Sequence, residues 1–180
     1  MIPQKYQWLE TIGVLPKLVS AGLQYLGIKE IPGSASNPVI LQMAKELKVD
    51  TIYTNDDIAW CSLFISYLCQ ITGKPLPGND VELLRAASFV NWGNQVIRGQ
   101  EQLGDILIFT RPGGNHVSLY IAESDHSFHC LGGNQSNSVS ITEISKYRLS
   151  AARRYYATNA PDSARKYFID SSGHLSSNEA

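Results

Sequence analysis

The spacing of apolar residues changes character at Gly104, and this switch limits the chain to helices followed by a sheet. Before it, apolar positions recur at helical spacing from Leu15 to Tyr25, ahead of Gly27, and again from Val39 to Leu47, with Pro38 at the start. The most apolar such run extends from Cys61 to about Ile71 and is closed by Gly73 and Pro75. Val81 to Phe89 reads as a short helix leading to Trp92-Gly93. After Gly104 the pattern becomes short β runs: Ile106–Phe109, Val117–Ala122, Phe128–Leu131, Val139–Ile141 and Arg153–Tyr156. The expected class is α+β, with N-terminal helices packed on a mainly antiparallel β-sheet.

A chain of 180 residues is most economically a single domain, here expected over 1–158. Residues 159–180 form a polar C-terminal segment in which Ala164 to Ile169 is expected to make a helical turn or two and the last ten residues a loose tail. The net charge of −1 offers no basic face for nucleic acid and no polybasic membrane anchor. No apolar run approaches the ~18 residues of a membrane span. The first residues, Met1-Ile2-Pro3-Gln4-Lys5, do not open a signal-peptide pattern, so synthesis in the cytoplasm is expected. Three cysteines without a C-x-x-C fit a reduced chain.

Within this frame one residue stands out. Asp57-Ile58-Ala59-Trp60-Cys61-Ser62-Leu63-Phe64 places a cysteine in the first turn of a buried helix. There the unpaired backbone N–H groups and the positive end of the helix dipole favour thiolate. A cysteine ahead of an apolar run is more often simple core, which is also the expectation for Cys69 and Cys130. Nucleophilic chemistry needs a base within reach and a group that orients it. His116 follows the flexible Pro112-Gly113-Gly114-Asn115 and opens a strong β run, which fixes it at a sheet edge. The orienting group should come from the neighbouring strand, where Leu131-Gly132-Gly133-Asn134-Gln135 offers Asn134 or Gln135. Their amide oxygens can accept from one ring nitrogen, the part an aspartate plays in serine hydrolases. His126, His129 and Cys130 do not add up to a zinc site, because His129 and Cys130 are strand neighbours pointing to opposite faces. No metal or cofactor is expected, and neither a phosphate loop nor a serine elbow is present.

Six blocks carry a resemblance: Leu26-Gly27-Ile28-Lys29-Glu30-Ile31-Pro32-Gly33 with Asn37-Pro38, Trp60-Cys61-Ser62-Leu63-Phe64, Ala86 to Gly93, Gly104-Asp105-Ile106-Leu107-Ile108-Phe109, His116-Val117-Ser118-Leu119-Tyr120, and Leu131 to Val139. In this order, over about 18–157, they resemble the NlpC/P60 and CHAP superfamily of cysteine peptidases, and more closely a subfamily of small bacterial and phage peptidoglycan hydrolases. The resemblance implies a papain-like core and cleavage of amide bonds in peptidoglycan peptides. Cys61 would be the nucleophile, His116 the general base and acid, and Asn134 the orienting residue, with the Cys61 backbone N–H helping to bind the oxyanion. It also implies that Trp60, Asp57, Glu30 and Asn37 line the cleft, although core packing serves Trp60 equally well and capping a helix or turn serves Glu30 and Asn37 equally well. The subfamily often has Gly where this chain has Asn115 and Ser118, so Ser118 is expected to narrow the groove.

A cell-wall substrate and a chain made without a leader imply export, by a secretion system as an antibacterial effector with a cognate immunity protein or by phage-type lysis. Two alternatives use the same fold: a thiol acyltransferase or deamidase acting on protein side chains, and a non-catalytic binding module.

Overall fold

In a computed structural model of the chain, residues 1–33 and 35–178 are described. Three α-helices, α1 (Lys17–Leu23), α2 (Pro38–Glu46) and α3 (Cys61–Ile71), precede the main strands. The strands are β1 (Asn94–Gln95), β2 (Ile106–Arg111), β3 (Gly114–Glu123), β4 (Ser127–Gly132), β5 (Ser140–Ser145) and β6 (Leu149–Arg154). They form one sheet in the order β1-β6-β2-β3-β4-β5, with every neighbouring pair antiparallel. The architecture is α+β. No helix among the described residues is long and apolar enough to cross a membrane.

Helix α3 is the hub. All residues from Cys61 to Cys69 are buried, as expected for a helix apolar on every side. Its two internal hydroxyls, Ser62 and Ser66, both donate to the Leu83 carbonyl, so the polar atoms on that face are satisfied without water. On the sheet side, β3 and β4 present Val117, Leu119, Ile121 and Leu131 to the same core as Phe64 and Leu68. Alternation sends Tyr120, Phe109, Phe128 and Cys130 into a second apolar cluster.

Just beyond the end of β4 the chain passes close to α3 at Gly133. A Cβ there would lie 2.7 Å from Trp60 Cζ3 and 2.8 Å from Phe64 Cβ, so the indole rests on bare backbone. The chain's first block is stitched to the same region: Gly27 N donates to Val139 O, Val139 N to Ile28 O, and Glu30 N to Asn137 O.

Several elements differ from the sequence expectation. Val81–Phe89 is two 3-10 turns, Asp80–Leu84 and Ala86–Asn91, rather than one helix. The last two strands are displaced from Val139–Ile141 to Ser140–Ser145 and from Arg153–Tyr156 to Leu149–Arg154. An N-terminal 3-10 turn, Gln4–Glu10, packs Tyr6 and Leu9 into the core.

The C-terminal segment is neither helical at 164–169 nor loose up to residue 178. Glu123 N donates to Tyr167 O and Ile169 N to Glu123 O, and further along Ser176 N donates to Glu143 O and Ser136 N to Asn178 O. Exposed strand edges seek partners, and this polar strap supplies backbone groups to them. A sequence reading based on polarity alone misses such backbone pairing.

Buried polar groups anchor the strap. The Glu143 carboxylate accepts from Lys5 Nζ (3.0 Å), Ser127 Oγ (3.1 Å), Ser171 Oγ and Ser172 N (2.7 Å). Burial alone would raise it, but Ser171, Ser172 and Lys5 together hold the carboxyl well below the usual carboxylate range. Beside it His129 is fully buried, with Nδ1 2.9 Å from the Tyr6 hydroxyl, and burial pushes its imidazole down to about 4 against the pull of Glu143.

Two stability outcomes follow. Gly133→Ala should destabilise the protein by about 1–3 kcal/mol, since neither Trp60 nor Phe64 has room to retreat; a urea midpoint equal to wild type would contradict this contact. Between pH 6.5 and about 4 the unfolded chain binds a proton that native His129 refuses, so stability falls as pH drops through that window. Glu143 acts in the same sense, because its stabilisation is present above the ordinary glutamate range and is lost as the pH falls below it. His129→Gln should therefore show a shallower loss of urea stability across that window than wild type, and an identical slope would contradict the assignment.

Candidate active site

Cys61 is the first residue of α3, and Trp60 before it leaves the helical conformation at φ −123°, ψ 15° without a side-chain cap. The first-turn N–H groups are thus not satisfied by a capping side chain, and the thiol sits among them. The backbone N–H of Val117, the residue after His116 on β3, favours the anion at the Cys61 sulfur. The Cys61 thiol is 4 % exposed. Burial pushes its pKa up, against the Val117 N–H, the Arg111 charge and the N–H groups of Ser62 and Cys61 itself. The helix start therefore offsets burial only in part, and the resting group is a thiol rather than the thiolate expected from position alone.

His116 is fully buried, and its Nε2 lies 3.1 Å from Gln135 Oε1. The orientation of that amide follows from its other end. Gln135 Nε2 donates to the Cys130 carbonyl (3.2 Å) and the Ser140 carbonyl (2.6 Å), which accept only. Its oxygen must then face the ring, so Nε2 of His116 carries the hydrogen and donates it. In the neutral ring the lone pair resides on Nδ1.

Asn134, the first choice for this partner, does not reach the ring. The register Leu119↔Leu131, continued along both strands, would set residue 134 opposite His116. The chain instead leaves the strand after Gly132. Asn134, Ser136 and Asn137 adopt φ of 55°, 51° and 58°, a left-handed conformation that asparagine tolerates better than most residues. The turn rotates the next side chain inward, and Gln135 takes the position. Gly132 leaves the room: a Cβ on it would lie 2.9 Å from Gln135 Oε1 and 3.0 Å from Ser118 Cβ.

The other cleft candidates have definite places. Trp60 is fully buried and donates through Nε1 to Glu30 Oε1 at 2.7 Å, which ties Glu30 to the residue that precedes Cys61. Burial raises the Glu30 carboxyl, against that indole hydrogen bond. Asn37 caps α2: its Oδ1 accepts from Val39 N at 2.9 Å and its Nδ2 donates to Lys29 O at 2.7 Å, so its side chain is already engaged. Ser118 is fully buried beneath Gln135, away from any groove surface. Asp57 is exposed, whereas its neighbour Asp56 is buried and accepts from Ile31 N (3.1 Å) and Asn37 N (2.8 Å), shaping the 31–37 loop. Sequence reading passed over Asp56 and Arg111, since one charged residue in a loop and one at a strand end carry no periodic signal.

Among the described residues no group of three or more His, Cys, Asp or Glu is placed to hold a metal ion. Cys61, Cys69 and Cys130 are buried, and among the described residues none of them forms a disulfide. No protein-family model matches the chain, and no curated protein matches it.

A thiol raised by burial has a clear signature. The rate of Cys61 alkylation by iodoacetamide should rise with pH to a midpoint above the ~8.5 of an ordinary cysteine; a midpoint below pH 7 would show a resting thiolate and contradict this description.

Proposed function

We propose that the protein is a papain-like cysteine amidase or endopeptidase that hydrolyses amide bonds in peptidoglycan peptides. The observation that carries this reading is the His116–Gln135 hydrogen bond, one residue before the Val117 N–H that favours the anion at the Cys61 sulfur. A fully buried histidine, held through one nitrogen by an amide whose direction is fixed, is an oriented base. The sequence resemblance to NlpC/P60 and CHAP peptidases supplies the substrate class and the export this substrate requires.

Catalysis on this reading starts from a neutral pair. As the thiol attacks the scissile carbonyl, its proton passes to His116 Nδ1 and the S–C bond forms. Gln135 keeps the imidazolium in plane by accepting from Nε2–H. The oxyanion is met by backbone N–H at the start of α3, Cys61 N–H among them. His116 then returns the proton to the leaving amine as the C–N bond breaks, and water hydrolyses the thioester with His116 again as base. Deprotonation concurrent with attack suits a thiol whose burial disfavours a standing charge.

Purified protein incubated with defined muropeptides, with products identified by mass spectrometry, tests the reading directly. New fragments are expected from wild type and none from Cys61→Ala; equal cleavage by both, or by neither, would overturn it. Gln135→Ala should lower kcat by about two orders of magnitude, the scale of general acid–base catalysis. Asn134→Ala, a turn residue on this account, should cost less than about tenfold. The reverse ranking would return the orienting role to Asn134.

A further inference from the structure

Arg111 stands at the end of β2, half exposed, where the hairpin turns into the strand that carries His116. The register pairs Phe109 with His116 and Arg111 with Gly114. Arg111 is therefore on the same sheet face as His116 and diagonal to it, a separation that long side chains span. Its direct cross-strand neighbour has no side chain, and a Cβ built on Gly114 would meet nothing within 4 Å. Open space thus lies across from Arg111 at the hairpin.

The guanidinium itself is little used. Its Nε donates to the Asn115 carbonyl at 3.3 Å, and among the described residues no carboxylate pairs with it. Arg154 shows the contrast, since both Nε and Nη2 are engaged by Asp105 at 2.7 and 2.8 Å. The Arg111 charge nevertheless reaches the Cys61 sulfur, where it favours the anion. A planar cation with its terminal fork open, beside a nucleophile and a base, matches a carboxylate in geometry and charge.

We propose that Arg111 forms a carboxylate-binding subsite next to His116 and selects peptides that carry a free carboxylate on a residue flanking the scissile amide. The proposal rests on the hydrolase reading above and deepens it by naming what the site recognises. In peptidoglycan stems the α-carboxylate of D-glutamate is such a group, and its amidated form, D-isoglutamine, removes the charge while keeping the shape.

Binding to inert protein separates this proposal from the hydrolase reading. Cys61→Ala protein is titrated by calorimetry with L-Ala-γ-D-Glu-L-Lys-D-Ala and with the same peptide carrying D-isoglutamine. The acid peptide should bind at least about tenfold more tightly, the effect of one charged hydrogen-bonded pair. In the Cys61→Ala/Arg111→Gln protein that preference should fall to near one, and Arg111→Lys, which keeps the charge but loses the fork, should fall between. Equal affinity for the two peptides, none for either included, or a preference that survives Arg111→Gln would overturn the subsite. Cleavage of either peptide by protein with Cys61 intact scores the hydrolase reading separately. A shift of the Cys61 alkylation profile in Arg111→Gln, with no change in peptide preference, would assign the residue to the thiol instead.

Discussion

The side-chain amide of Gln135 is the fixed point of the site. Two carbonyls, from β4 and from the start of β5, claim its nitrogen, so its oxygen has one direction left. That oxygen settles which nitrogen of His116 holds a hydrogen, and thereby which can take one. The loop around it is built for the purpose. Gln135 N donates to Ser138 O and Ser138 Oγ donates back to Gln135 O. Gly132 and Gly133 let the amide and Trp60 approach the sheet where any Cβ would collide. The 27–30 segment pairs with 137–139, and the Asn178 carbonyl accepts from Ser136 N, so both ends of the chain brace one turn.

Much of this was legible in the sequence because it rests on periodicity and short-range chemistry. The apolar run from Cys61 is a helix with those bounds, and the Ile106 and Phe128 runs lie within strands two residues longer, because side chains facing one core must recur at 3.6 or 2. His116 falls at the head of β3 for the same reason. What escaped was set by backbone partners. A turn with three left-handed non-glycine residues sets Gln135 rather than Asn134 against the His116 ring, a shift of one that alternation cannot foresee. The polar strap 167–178 looks unstructured by composition, yet its order comes from main-chain hydrogen bonds and from Glu143. Asn37 was open to two uses, and the cap of α2 took it.

Burial and the helix dipole act on Cys61 in opposite directions, and their balance shapes the proposed chemistry. A first-turn cysteine in the open would lean toward thiolate, but at 4 % exposure desolvation is the larger influence. The neutral thiol then needs a base whose lone pair is already placed, which makes the orientation of His116 matter more than any standing charge. The Arg111 charge acts in the same balance from the end of β2, where it favours the anion at Cys61.

The site therefore turns on one hydrogen, the one between His116 and Gln135. Long-range ¹H–¹⁵N correlation spectra of protein labelled at histidine read it directly. His116 should show a protonated Nε2 and a pyridine-like Nδ1 while its ring is neutral, and Gln135→Leu should abolish that fixed preference. A neutral His116 with its hydrogen on Nδ1, or a preference indifferent to Gln135, would contradict the oriented base on which the rest is built.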